Sequence, residues 1–127
     1  MNIFVDNIEH LTQQNTDFRQ VIYTGQHTQL VLMSLLPGEE IGEEIHEIVD
    51  QFFRVESGEG KLIANGTQYP LKDGDAVVIP AGSLHNIINV SQNQPLKLYT
   101  LYCPPHHKSG VIHRTKSEAQ TDQTDHI

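Results

Sequence analysis

The 127-residue chain reads as an all-β domain, a sandwich or a barrel. Three observations lead there. Short runs rich in Val, Ile, Leu, Thr and aromatic residues recur between Arg19 and Cys103. Turn signals separate them about every eight to twelve residues, and no segment of that span carries a helical period.

Taken in order, Arg19–Leu36 reads as two extended segments parted at Thr24-Gly25 and stopped by Pro37-Gly38. Gln51–Gly60 is a strand ending in a glycine-bearing turn. Lys61–Lys72 is a hairpin, because Asn65-Gly66 supplies the two positive-φ residues of a type I′ turn. Asp73-Gly74 turns the chain into Ala76–Pro80, expected to be a buried strand. His85–Val90 is a further strand, Ser91–Pro95 a loop, and Leu96–Cys103 a strand that uses both faces. Residues 19–104 then form the barrel, with seven or more strands. Residues 1–18 are an N-terminal extension that reads equally as a helical turn or an edge strand. Residues 105–127 are a polar tail, partly helical or disordered, since "RTKSEAQTDQTDHI" has no apolar period.

Charge and composition exclude several classes. Eight Lys+Arg against sixteen Asp+Glu give a net charge of −8, which disfavours nucleic acid and anionic membranes as partners. The apolar run Leu30–Leu36 is too short to span a bilayer. No basic region leads into an apolar core at the N-terminus, so no signal peptide is indicated. The single cysteine, Cys103, has no disulfide partner and reads as a small apolar strand residue. The expectation is a cytoplasmic single domain with a small-molecule partner.

Within this apolar pattern a few polar residues stand out. Alternation along a strand points Glu44 and His46 to the same side, and after a bend Gln51, Phe53 and Val55 share a face. His85, Ile87 and Asn89 do likewise. A barrel interior receiving Glu44, His46, Gln51 and His85 would strand N and O atoms at a cost of roughly 1–3 kcal/mol each. A divalent transition metal satisfies them together. His106 and His107 after Pro104-Pro105 read as a loop, and His10, His27, His113 and His126 have no partners at ligand spacing. Tyr23, Tyr99 and Tyr102 read as core packing.

The same residues resemble the two motifs of the cupins. In G-x5-H-x-H-x3-4-E-x6-G the positions are filled by Gly38, Glu44, His46, Gln51 and Gly58. In G-x5-P-x-G-x2-H-x3-N they are filled by Gly74, Pro80, Gly82, His85 and Asn89, a match at every fixed position. The resemblance, which covers Val31 to Cys103, implies a cupin-type double-stranded β-helix, or jelly-roll, barrel. It implies one divalent transition metal per chain (Zn, Fe, Mn, Ni or Co) held by Glu44, His46, Gln51 and His85. Two positions depart from the pattern: Glu44 replaces a histidine and Gln51 replaces the glutamate. The carboxylate is thus moved and the formal ligand charge kept. The implied function is a metal-dependent enzyme, isomerase- or dioxygenase-like, acting on a sugar derivative or an enol or diol, with Glu44 doubling as catalytic base. The alternative is a non-catalytic module that binds a carbohydrate or metabolite. A homodimer through a sheet edge suits the same resemblance. The glycines, Pro80 and Asn89 read as turn and loop formers.

Overall fold

Eight strands fill the span from Arg19 to Cys103 in the computed structural model, which describes residues 2–126. They are β1 (Arg19–Thr24), β2 (Gln29–Leu35), β3 (Asp50–Ser57), β4 (Glu59–Ala64), β5 (Thr67–Lys72), β6 (Ala76–Ile79), β7 (His85–Asn89) and β8 (Leu96–Cys103). A short β9 (Ile112–His113) follows, with helix α1 (Ile8–Gln14) before the barrel and α2 (Lys116–Thr121) after it. One sheet has the order β6-β3-β8-β2-β1-β9 and the other β5-β4-β7, with antiparallel pairing throughout. This is the all-β jelly-roll expected from the sequence.

The core lies between the sheets. Alternate residues supply it: Val31, Met33 and Leu35 from β2, Phe53 and Val55 from β3, Ile87 from β7, and Leu96 and Leu98 from β8. Each such side chain contributes about 1.5–3 kcal/mol on burial. α1 packs against β2, β3 and β8, and its first turn is capped by Asn7, whose Oδ1 accepts from the His10 N–H at 2.8 Å. The N-terminal extension is therefore helical over part of its length. α2 is capped by the Thr115 hydroxyl, which accepts from the Glu118 N–H. Among the described residues no helix is long and apolar enough to cross a membrane.

Two local readings are corrected. Ala76–Ile79 is not a buried strand: it ends the six-stranded sheet, with Val78 70% exposed and only Ile79 buried. Glu44 and His46 do not lie in a continuous strand either. They sit in the connection between β2 and β3, which touches the second sheet through the single bridges Glu40↔Ile88 and Glu44↔His85.

The turn chemistry holds in detail. Asn65 and Gly66 have φ of 49° and 84°, as the hairpin reading requires. Asn89, 1% exposed, is structural: its Nδ2 donates to the carbonyls of Leu35, Leu36 and Gln94, and its Oδ1 accepts from Ser91 N–H. Gly58 has φ of 94°, and a Cβ there would collide with the Pro95 carbonyl. Gly58→Ala is expected to cost about 2 kcal/mol or more, from strain and overlap together. The urea midpoint measures it, and an unchanged midpoint would mean that this turn relaxes freely.

Candidate metal centre

The site begins with backbone, not side chains. The Glu44 N–H donates to the His85 carbonyl and the His85 N–H to the Glu44 carbonyl, both at 2.9 Å. The Ile41 N–H donates to the Ile87 carbonyl at 2.9 Å, and the Gly82 N–H to the His46 carbonyl at 2.8 Å. The two glycine- and histidine-bearing segments are thereby stitched together, which is why residues forty apart in sequence share one site. Gly82 has φ of 86°, a conformation that disfavours any side chain there.

Glu44 and His46 converge on the barrel mouth, with His85 outside their close group of ligand atoms. Glu44 Oε2 stands 2.9 Å from His46 Nε2, yet that nitrogen has no partner in hydrogen-bonding geometry. The two atoms lie close without being aligned as donor and acceptor. The His85 ring is 5.5 Å from that of His46. Its Nδ1 is 3.0 Å from the Ser83 carbonyl, which only accepts, so Nδ1 carries a proton and Nε2 is the nitrogen left for a ligand. Gln51, 3% exposed, donates from Nε2 to Thr100 Oγ1 at 3.0 Å, which leaves its Oε1 buried without a partner.

His106 is the residue that sequence reasoning missed. It lies in the loop after β8, as expected, yet its ring stands 4.4 Å from that of His46. Glu44, His46 and His106 offer ligand atoms that all lie within 4.8 Å of one another. The first motif lacks one imidazole and a histidine pair follows β8, but neither feature places His106 beside His46. Gln29 holds that pair in place. Fully buried on β2, it accepts at Oε1 from the N–H groups of His106 (3.1 Å) and His107 (2.9 Å), and its Nε2 donates to the His107 carbonyl at 2.7 Å. Gln29→Leu is expected to cost about 2–4 kcal/mol by stranding those groups, measured by thermal and urea unfolding.

Tyr102 is a core residue and His107 lies in the connection after β8, as expected, and each also takes part in a buried hydrogen-bond chain. His107 Nδ1–H donates to Asp125 Oδ2 at 2.6 Å, and the Tyr102 hydroxyl donates to Nε2 at 3.2 Å. His106, His107 and His126 form a second close group of ligand atoms, but both ring nitrogens of His107 are thus engaged. Cys103 is the last residue of strand β8, as expected, and is exposed, with Sγ 3.3 Å from Thr28 Oγ1.

Electrostatics separate the groups. Burial opposes the charge of Glu44, but the adjoining His46 ring, with Arg19 and His85, holds its carboxyl below the ordinary value. Burial, reinforced by His46 and His126, lowers His106 to about 4. Burial first, then Arg19 and the other imidazoles, holds His107 neutral, as its hydrogen bonds require. A histidine kept neutral by the fold takes its proton more readily in the unfolded chain. Chelator-treated protein should therefore lose stability as pH falls from about 6.5 towards 4. His106→Asn should flatten that slope, as urea unfolding at stepped pH would show.

Glu44, His46, His106, His107 and His126 line a cavity of about 380 Å³, together with Arg19, Lys116 and Asp125, while His85 and Gln51 do not border it. A larger cavity of about 540 Å³ lies elsewhere, against Leu62, Tyr69, Pro70 and Val78, and has no imidazole. Fold and site together define a small jelly-roll barrel with a candidate His/Glu metal group at its mouth. The model of the Cupin domain matches residues 31–102, and the chain belongs to the cupin family. YrkC of Bacillus subtilis (strain 168) is 48% identical over 123 residues, covering 91% of this chain and 65% of YrkC. The chain thus spans just under two thirds of that relative's own length. The crystal structure of BH2720 from Bacillus halodurans is 44% identical, with a TM-score of 0.92, covering 95% of this chain and 96% of that one. A predicted oxalate decarboxylase from Thermotoga maritima is 28% identical, with a TM-score of 0.59, over 63% of this chain and 69% of its own.

Proposed function

We propose that this cupin holds one divalent transition metal through Glu44, His46, His85 and His106, with the Gln51 carbonyl facing the same interior. One observation carries the reading: ligand atoms of Glu44, His46 and His106 all lie within 4.8 Å of one another, with Glu44 Oε2 2.9 Å from His46 Nε2. Two ligand atoms about 2.1 Å from a metal and at right angles to each other stand about 3 Å apart. His85, whose ring is 5.5 Å from that of His46, and the orphaned Gln51 Oε1 are the further donors of this reading. His106 supplies the imidazole that the first motif lacks, so the donor set is richer than the motif alone implies. Nitrogen and carboxylate donors suit Zn, Fe, Mn, Ni or Co.

In this reading the protein is a metal-dependent enzyme acting on a small oxygen-bearing substrate, by isomerase- or dioxygenase-like chemistry. The metal would supply Lewis acidity towards a substrate oxygen. Glu44, the carboxylate of the set and held in its charged form, is positioned to take a proton from a substrate seated there. Likeness to the Thermotoga protein adds decarboxylation to the reactions worth assaying. The second reading, a non-catalytic binding module, is favoured by the commitment of Gln51 Nε2 to Thr100, which turns the position of the motif glutamate to a structural use. The partner in either case is a small molecule and not nucleic acid, in keeping with the net charge of −8. A homodimer through a sheet edge belongs to the same proposal, with β6 and β9 ending one sheet and β5 and β7 the other.

Elemental analysis of untagged protein after metal reconstitution tests the reading. The wild type is expected to hold about one transition metal per chain and the His46→Ala/His85→Ala double variant none. His106→Ala should weaken metal affinity by about tenfold or more. No uptake by the wild type would refute the metal centre, and an unaltered affinity in His106→Ala would remove that residue from it.

A further inference from the structure

Arg19 is a charged residue where the fold would be simpler without one. It lies on β1, 8% exposed, and lines the same cavity as Glu44, His46 and His106. Its guanidinium is thinly partnered. Nη1 is 3.4 Å from His113 Nδ1 and 4.0 Å from Asp125 Oδ2, the latter beyond a hydrogen bond. The guanidinium carbon is 5.3 Å from the centre of the Phe18 ring. Nε is buried with no hydrogen-bond partner at all. Asp125, whose Oδ2 also accepts from His107 at 2.6 Å, balances the charge from 4.0 Å but gives Arg19 no hydrogen bond. A buried N–H donor left open on a permanent cation is costly, and an arriving acceptor would remove that cost.

The charges of the cavity wall point the same way. Arg19 and Lys116 offset Glu44 and Asp125, so a divalent metal would leave an excess of positive charge. An anion restores the balance. The guanidinium presents parallel N–H donors in a plane, which matches the two oxygens of one carboxylate. The cavity, about 380 Å³, limits the ligand to a small one.

We propose that this site takes a small hydroxy- or oxo-carboxylate, its carboxylate bound by Arg19 and its second oxygen directed to the Glu44–His46–His106 cluster. The second contact rests on the metal reading above; the first does not. Arg19 is then a specificity-determining residue, selecting acids over neutral diols and sugars of the same size. Asp125 Oδ1 is also without a partner, so solvent shared between Arg19 and Asp125 is the competing account.

Calorimetric titration of untagged protein, metal-free and loaded with Mn(II), decides between them. The probes are lactate, propane-1,2-diol as its neutral relative, and inorganic phosphate. Lactate is expected to bind the loaded wild type about tenfold or more tightly than the diol. Arg19→Gln should remove that preference while leaving Mn(II) content unchanged, and Arg19→Lys should restore part of it. Circular dichroism verifies that the variants fold, and the comparison of lactate with diol needs no variant. Equal binding of lactate and diol, binding of phosphate alone, or an Arg19→Gln protein that binds lactate as the wild type does would overturn the proposal. Should Mn(II) not bind, the metal reading falls and the metal-free titration judges Arg19 by itself. Arg19-dependent lactate binding there upholds its role, and no binding ends it.

Discussion

A polar atom withdrawn from water must find a partner or cost about 1–3 kcal/mol, and that requirement shapes the mouth of this barrel. Strand ladders satisfy their own backbone groups but offer nothing to the side chains that point inward. Gln29, Arg19, Gln51, Tyr102 and His85 all point inward or lie buried beside the mouth. Residues 104–126 supply many of the missing partners. Gln29 is bonded to the His106 and His107 backbone, Tyr102 to His107, His107 to Asp125, and His113 to Asp122 at 2.9 Å. The C-terminal segment is thus an integral wall of the site.

This arrangement also explains which polar atoms are left over. The atoms without partners at the site are His46 Nε2, Gln51 Oε1, Arg19 Nε and Asp125 Oδ1. They divide by chemistry. His46 Nε2 stands beside the Glu44 carboxylate and Gln51 Oε1 is an open acceptor, the kind of donor groups a cation requires. Arg19 offers a hydrogen on a permanent positive charge, the environment an anion requires. A cavity with a cation-seeking floor and an anion-seeking wall suits a ligand that bridges the two. The Tyr102–His107–Asp125 chain, by contrast, leaves only Asp125 Oδ1 open, with its phenol kept protonated by burial.

The glycine and asparagine positions of the two motifs serve the same end by less direct means. The Gly82 N–H bonds the His46 carbonyl, and Asn89 ties the end of β7 to the end of β2 and to the loop before β8. Neither residue touches a candidate ligand atom. Each holds the backbone that carries one, and a shift of that backbone would open the 2.9 Å approach of Glu44 to His46.

What the sequence determined by itself was local. Period-two alternation and the Asn65-Gly66, Asp73-Gly74 and Pro37-Gly38 turns depend on neighbouring residues, so the strands and their class were legible. The spacing of the motif brought out His46 and His85, since a strand or bridge a few residues long carries its own geometry. The exposure of Val78 was not legible, because an apolar strand looks alike whether it ends a sheet or lies inside one. Nor was the role of His106, which depends on β2 and its Gln29, seventy-seven residues away. Arg19 belongs to the site only because β1 borders β9 and the tail that follows it. Those placements are set by long-range packing and by the need to partner buried polar groups, and the tertiary structure alone decided them.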